Sequence, residues 1–430
     1  MTITIIGHGY VGLVTACVFA DFGNKVWVIG HTKEKLIRLK SGDPIIYEPG
    51  LKELLQKNLQ AKRIFFTLEY EQAIAESDII LITVGTPPKE SGEADLTAVI
   101  DVARKIGKNL KKDFTVISCK STVPVGTNKK IEIIIKRHKS KNREFAVASV
   151  PEFLREGTAL QDTYYPDRVV IGSDSKRAVD LLLELHQPVN SKKIITNLTS
   201  AELIKYTSNC MLATKISFAN IISLYCEKVG GDVESVLEAV GLDKRIGRTF
   251  LYPGVGYGGS CLPKDVKAFI SIGKDKRIDT SFFHSIENIN KEVKTNFINK
   301  IINNAPGKKI AILGLSFKPD TDDIREAPSL YIIDELLKNG FEIKAYDPVA
   351  SNNIKILLGD KIKIVKDPYV AIDKADSLVI ITEWNEFKQI DLSKVKKLLK
   401  HPVIFDGRNI YKPEVMKKMG FKYFSIGRPS

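Results

Sequence analysis

The sequence predicts an α/β chain, with two doubly wound parallel-sheet domains joined by a central helical domain that contains a long connecting helix. Three observations carry that prediction. The chain opens ITIIGHGYVGLVTACVFADFGNKVWVIG, a β-branched strand, a glycine turn, a helix pattern and a second strand. From Ser200, SAELIKYTSNCMLATKISFANIISLYCEKVG runs without proline, its apolar residues at helical spacing and its only glycine at the end. The order helix end, aspartate, apolar strand occurs twice, in AIAESDIILIT (73–83) and AIDKADSLVIIT (371–382), as a duplication would leave it. A chain of 430 residues is too long for one core. The divisions expected are 1–198, 199–304 and 305–430.

The first strand runs directly into GxGxxG at Gly7, Gly9 and Gly12, and KVWVI follows as the second strand. In that βαβ context the glycines form a dinucleotide-binding fingerprint, and the first domain is expected to be Rossmann-like. Further strands are legible in 78–87, 114–127 and 144–153, with helix patterns between them, which predicts a parallel sheet covered on both faces. Thr83, Gly85, Thr86, Ser121, Thr122 and Glu152 fall at strand C-termini, where doubly wound folds place ligands.

In the middle section Ser200, Glu202 and Glu227 frame the long amphipathic helix. More helix is expected to about Ile272 and again from Thr280 to Asn304. A long helix between two α/β halves suits a subunit interface, so a homodimer is expected. After the APGKK break, KKIAILGLSFKPDTDD reads as a strand and loop, SLYIIDELLKNG as a helix ending at Gly340, and FEIKAYDP as a strand. This second unit lacks GxGxxG and is expected to bind a different nucleotide.

Composition narrows the class. The 43% hydrophobic and 27% charged content is that of a globular protein, and no apolar run reaches the ~18 residues of a membrane span. The N-terminus has no basic n-region or cleavage site, which points to the cytoplasm and away from a membrane. The net charge of +14 is spread along the chain as in KIGKNLKK and KRHKSKNR. Such runs are solvated faces, and without a helix-turn-helix, zinc finger or RNA-binding aromatic motif no nucleic-acid partner is expected. Five scattered cysteines form no CxxC pair and no metal-spaced cluster, so reduced thiols and no metal are expected.

One of those thiols has an unusual setting. In GYGGSCLPKD (256–265), Cys261 follows a glycine run and precedes a cation and a carboxylate, as suits a thiol that a substrate must reach. The other four lie in apolar or helical patterns.

GHGYVG, TVGTPP, KSTVPVGT, PEFLREGTA, KYTSN, GYGGSCLPKD, GLSFKPDTDDIREAPS and YDP occur in one order. As a set they resemble the UDP-glucose 6-dehydrogenases, within the wider class of nucleotide-sugar dehydrogenases, over nearly the whole chain. PEFLREGTA is similar to the UDP-glucose branch. The resemblance implies a four-electron oxidation of UDP-glucose to UDP-glucuronate, in which Cys261 traps an aldehyde as a thiohemiacetal and carries a thioester to hydrolysis. It implies that Lys205 and Asn209, on one helix face, stabilise an oxyanion, that Asp265 assists water or proton transfer, and that Thr122 and Glu156 position a water. For the sugar and its diphosphate it implies Glu152, Phe153, Leu154, Arg155, Glu156, Lys205, Asn209, Phe250, Leu251, Tyr252, Pro253, Gly254, Gly258, Lys318 and Arg408. Arg245 is implied to reach the partner subunit's substrate. For the cofactor it implies Gly7, Gly9, Tyr10, Val11, Gly12, Gly85, Thr86, Thr122, Glu152, Lys264 and Arg325. The glycines beside Cys261 are expected to admit a bulky hexose to the sulfur.

The chain departs from the family at one place. NAD sites set an acid roughly 20 residues past the glycines, at the end of the second strand. This sequence reads VIGHTKEK, with Gly30 there, followed by His31, Thr32 and, further on, Lys35. The run resembles the NRTxxK of NADP-linked dehydrogenases at Thr32 and Lys35. The cofactor expectation is therefore NAD, the family default, or NADP, suspected from the missing acid. The competing readings are a dehydrogenase of UDP-galactose or of a UDP-N-acetylhexosamine, and a non-catalytic nucleotide-binding protein.

Overall fold

The computed structural model describes residues 1–429. The chain divides into two compact units, Met1–Ser208 with Lys267–Arg277 and Asn209–Val266 with Ile278–Ser430. The first unit holds an eight-stranded sheet: β1 (Thr2–Ile6), β2 (Lys25–Ile29), β3 (Ile64–Thr67), β4 (Ile79–Ile82), β5 (Phe114–Cys119), β6 (Glu144–Ser149), β7 (Arg168–Gly172) and β8 (Lys192–Thr196). Their order across the sheet is β3-β2-β1-β4-β5-β6-β7-β8. β1 sits at the switch point, with Ile3 opposite Val26 on one side and Ile79 on the other. The expected all-parallel sheet holds for the first six strands only. β7 meets β6 antiparallel at Ser149 and Gly172, and β8 runs parallel to β7, so the last two strands point the other way. The chain enters β7 through the short helix Ala159–Tyr164 rather than a full crossover helix, which permits the reversal.

Strands buried on both faces explain the near-continuous apolar runs. Ile3, Ile5, Val26 and Val28 pack into a core on one face, while Ile6, Ile29, Ile80 and Ile82 pack into another on the opposite face. Thr4 is one polar exception, and its hydroxyl donates to the Ala73 carbonyl at 2.9 Å. The second unit repeats the scheme with β9 (Lys309–Leu313), β10 (Glu342–Tyr346), β11 (Lys363–Ile364), β12 (Ser377–Ile380), β13 (Val403–Asp406) and β14 (Lys422–Phe424). Its order, β11-β10-β9-β12-β13-β14, is the order of the first six strands of the other sheet. Ile310 and Ile312 face one core, Ala311 and Leu313 the other.

The long helix spans Leu198–Val229, 32 residues, and gives way at Gly230, whose φ of 80° is left-handed. Its start corrects the expected framing. Asn197 Oδ1 accepts from the Ser200 N–H at 2.8 Å and is the cap, so Ser200 lies inside the helix. Glu202 turns away from its own helix and accepts from the Gly126 and Asn128 N–H groups at 2.7 and 2.9 Å. There it sits at the N-terminus of the helix Thr127–His138, where the peptide dipoles favour an anion. The region after the helix Val233–Leu242 is irregular from 243 to 261, and helix resumes at Leu262–Asp275 and Ser281–Asn304. Among the described residues no helix is long and apolar enough to cross a membrane.

Candidate active site

In the first unit the site begins at the glycine turn. Gly7 has a φ of 120°, and a Cβ on Gly12 would lie 2.1 Å from the Gly7 carbonyl oxygen, so the turn closes only with glycine at both. Gly9 is exposed, and a Cβ there would meet nothing within 4 Å. It precedes the helix Tyr10–Asp21, which has no side-chain cap, no acid in its first turn, and half-buried Tyr10 and Val11 at its start. Uncapped N–H groups beside open space fit a dinucleotide's pyrophosphate. At the C-terminal ends of β4 and β5, the Thr86 hydroxyl donates to the Thr122 carbonyl at 2.9 Å, tying those two loops together beside Gly85.

Glu152, on the loop after β6, and Lys205, on the long helix, form an ion pair of 2.9 Å with side chains only 6% and 4% exposed. Glu152 Oε2 also accepts from the Leu154 N–H at 2.8 Å. The Phe153 ring lies between two cations, with Lys205 Nζ 5.3 Å and the Arg168 guanidinium 3.9 Å from its centre. Burial pulls the nearby Lys120 ammonium down to about 8, with the Glu152 charge opposing and the Lys205 charge adding to that shift. Arg155 is directed elsewhere, in a bidentate pair with Asp162 at 2.6 and 3.0 Å. Half-buried Glu156 lies near enough to Tyr10 for its charge to oppose ionisation of the phenol.

Glu48 is a site-organising residue that the sequence reading missed. It is 6% exposed and accepts from the Gly157 and Ala159 N–H groups, both at 2.6 Å, and from the Tyr10 hydroxyl. One carboxylate thus joins the glycine-turn helix to the loop that carries Glu152 and Glu156. Its only signal was an acid before the Pro-Gly of YEPG, which by itself marks a turn.

In the second unit, Cys261 is exposed at the N-terminus of the helix Leu262–Asp275, where an anion is favoured. Its carbonyl accepts from the Asp265 N–H at 2.9 Å, and its Sγ lies 3.6 Å from Ser260 Oγ. Asp265 is fully buried; Oδ2 accepts from Asn209 Nδ2 at 2.6 Å and Oδ1 from Lys264 Nζ at 2.5 Å. Lys264, expected on the cofactor side, is thus held by Asp265. The remaining thiols are buried. Burial pushes Cys17, Cys119 and Cys210 up to about 12 and Cys226 up as well.

The glycines before Cys261 have a packing reason of their own. A Cβ on Gly258 would lie 2.2 Å from the Glu326 carbonyl oxygen, and one on Gly256 would lie 2.5 Å from Asn290 Oδ1. Gly259 faces the Phe317 ring and donates its N–H to the Arg325 carbonyl at 2.9 Å. Close packing of the loop against the chain demands these glycines. Lys318 follows Phe317 in the same wall, its Nζ 5.7 Å from that ring. The Arg325 side chain pairs with Asp323 at 2.6 Å, and exposed Arg245 pairs with Asp243 at 2.6 Å.

The FLYPG loop holds Phe250 at a φ of 66°, a left-handed conformation that costs a non-glycine residue about 1 kcal/mol or more. Leu251 and Pro253 are buried and Tyr252 is exposed. The Gly254 N–H donates to Asn220 Oδ1 at 2.9 Å, and a Cβ on Gly254 would stand 3.0 Å from Arg408 Nη1. Arg408 donates from Nε to the Ile381 carbonyl at 2.8 Å and pairs with Glu383 at 3.2 Å. The predicted sugar loop and the DGRN arginine are therefore neighbours. Among the described residues no cluster of metal-ligating side chains occurs.

Comparison with known proteins places this geometry. Residues 1–190 match the NAD binding domain of the UDP-glucose/GDP-mannose dehydrogenase family, 199–292 its central domain, and 311–413 its UDP binding domain. The UDP-glucose 6-dehydrogenase TuaD of Bacillus subtilis is 46% identical, covering 100% of this chain and 93% of that protein. A UDP-glucose 6-dehydrogenase of Pseudomonas aeruginosa is 41% identical, covering 100% of this chain and 98% of its own. The solved UDP-glucose dehydrogenase of Pyrobaculum islandicum superposes with a TM-score of 0.92 at 36% identity, over 99% of this chain and 98% of that one. With its glycine turn, its Cys261 loop and matches along nearly its full length, the chain belongs to the UDP-glucose/GDP-mannose dehydrogenase family.

Proposed function

We propose that the chain oxidises the C6 alcohol of UDP-glucose to the carboxylate of UDP-glucuronate, with NAD as the hydride acceptor. The observation that carries this reading is Cys261, an exposed thiol at a helix N-terminus, followed in the same turn by a buried carboxylate that binds Asn209 and Lys264. NAD, when bound, supplies acceptance of a hydride from C6 twice. The residues named here supply the rest.

Removal of the first hydride and the hydroxyl proton leaves an aldehyde. Cys261 Sγ adds to its carbon, and the carbonyl oxygen takes up the thiol's proton to give a thiohemiacetal. Loss of the second hydride and that hydroxyl proton gives a thioester. Water cleaves the C–S bond, releasing the acid and restoring the thiol. Lys205 donates to the oxygen as it gains charge, held in place by Glu152. Asn209 donates there too once Asp265 orients it. Asp265 keeps lone pairs beyond the two it shares, so a water can still donate to it. Thr122 and Glu156 are assigned the placing of that water. For the nucleotide sugar we assign Phe153, Leu154, the FLYPG loop, Lys318 and Arg408, and we assign 1–198, 199–304 and 305–430 as the cofactor, central and UDP-sugar domains.

The assay is absorbance at 340 nm with limiting UDP-glucose. Two reduced cofactors per sugar are expected. One per sugar would overturn the thioester, and turnover only with UDP-galactose or a UDP-N-acetylhexosamine would overturn the sugar.

The same reading includes a homodimer through the long helix. Met211, Phe218, Tyr225 and Val229 are 56, 46, 64 and 77% exposed, an apolar stripe at spacings of seven and four. Sedimentation equilibrium should return twice the chain mass of 48.0 kDa. A monomer mass at micromolar concentration would count against it.

A further inference from the structure

We propose that the end of β2 is a binding site for the 2′-phosphate of an adenosine ribose, so that this chain holds NADP at least as tightly as NAD. The proposal rests on the dinucleotide reading of the glycine turn and adds a chemical preference to it. A NAD site at this place uses a carboxylate, which accepts hydrogen bonds from the ribose hydroxyls. Here the position is Gly30, fixed by its N–H to the Thr67 carbonyl at 3.0 Å. A Cβ on Gly30 would lie 2.7 Å from Leu36 Cδ2 and 3.1 Å from His8 Nδ1, so neighbouring side chains already occupy the space an acid would need.

Those neighbours change the chemistry offered to the ribose. His8 is 3% exposed, and its Nδ1 is buried without a hydrogen-bond partner among the described residues. That nitrogen faces the space beside Gly30. The exposed His31 ring stands 4.6 Å from the His8 ring. Thr32 follows, half-buried, and its side chain makes no cap bond to the helix Lys33–Lys40 that it precedes. Lys35 is exposed on the first turn of that helix, as is the acid of the turn, Glu34. Burial first, and then the charges of His31 and Lys35, hold His8 down to about 4.

A phosphate presents acceptors and negative charge, whereas a ribose diol presents donors as well. Imidazole N–H, threonine hydroxyl and ammonium are donors, and two of the three can carry positive charge. Loss of the acid also removes the repulsion by which a NAD site rejects a 2′-phosphate.

The test is binding, read by calorimetry on the full chain with 5′-ADP and 2′,5′-ADP, and by fluorescence titration with NADH and NADPH. The expected result is tighter binding of 2′,5′-ADP than of 5′-ADP, and a Kd for NADPH no greater than for NADH. Lys35→Ala and His31→Ala, both at exposed positions, should each weaken 2′,5′-ADP by about tenfold or more, the size of one lost charged hydrogen bond. They should leave 5′-ADP within about twofold, since that probe has no group for them to hold. Weaker binding of 2′,5′-ADP, or equal losses for both probes in the variants, would overturn the proposal while leaving the dinucleotide site intact. Binding of none of the four compounds would instead sink the dinucleotide reading itself.

Discussion

Replacing Cys261 with alanine is expected to lower oxidation of UDP-glucose to UDP-glucuronate by about 10⁴-fold, the scale on which single nucleophiles matter in enzymes that use them. The reason is specific to a double oxidation. An aldehyde has only one hydrogen on the reacting carbon, and to lose it as hydride the carbon must first become tetrahedral. Sulfur makes that adduct; an alanine methyl cannot. Cys261 is exposed, so the variant should fold and bind UDP-glucose as the parent does. Alkylation offers a second reading. The other four thiols are buried, and burial has pushed three of them up to about 12. Iodoacetamide on the folded chain should therefore add one label, at Cys261, with activity lost in step. Retention of a tenth of the activity, by the variant or by the fully labelled protein, would remove Cys261 from the mechanism.

Lys205→Met should produce two separable losses. Methionine keeps much of the length and removes the charge, which leaves Glu152 buried without its partner. Breaking a buried pair in this way costs about 3–5 kcal/mol of stability, measurable as a lower urea midpoint. Turnover should fall by about 10²–10³, the effect of removing one donor from a developing oxyanion. The double variant Lys205→Met with Glu152→Gln distinguishes the two effects, because it removes the unpaired charge without restoring the donor. Stability should return towards that of the parent while turnover stays low. If turnover recovered together with stability, Lys205 would be structural only.

The parts of this molecule that the sequence revealed are those written in consecutive residues. The turn at Gly7 and Gly12 was legible because only glycine tolerates its φ and its close approach. The Cys261 loop was legible because a thiol among glycines, followed by Pro, Lys and Asp, suits no apolar core. The long helix was legible from its period, but its start was not, since Asn197 and Ser200 are both good caps and geometry chose between them. The Glu152–Lys205 pair joins residues far apart in the chain, and no local pattern announces such a contact. The same holds for Glu48, whose partners Gly157 and Ala159 lie more than a hundred positions away. The reversal of β7 is a matter of connection length, and its continuous apolar run, Val169 to Ile171, reads alike in either direction. In the glycine run before Cys261 the residues were noticed but their packing role was not legible, because the walls they touch, Asn290, Phe317 and Glu326, come later in the chain.

That last arrangement has a consequence for how the protein comes off the ribosome. Translation runs from the N-terminus, so the thiol emerges well before the residues that shape its loop. Until Arg325 and Glu326 have been made, Gly259 lacks the carbonyl that accepts its N–H and Gly258 lacks the backbone it packs against. A fragment ending before that residue keeps the Tyr257–Asn290 and Asn209–Asp265 hydrogen bonds on either side of Cys261 but lacks the wall against which its glycines pack. The order of synthesis thereby leaves the wall beside the nucleophile to be completed only after the second sheet has begun to form.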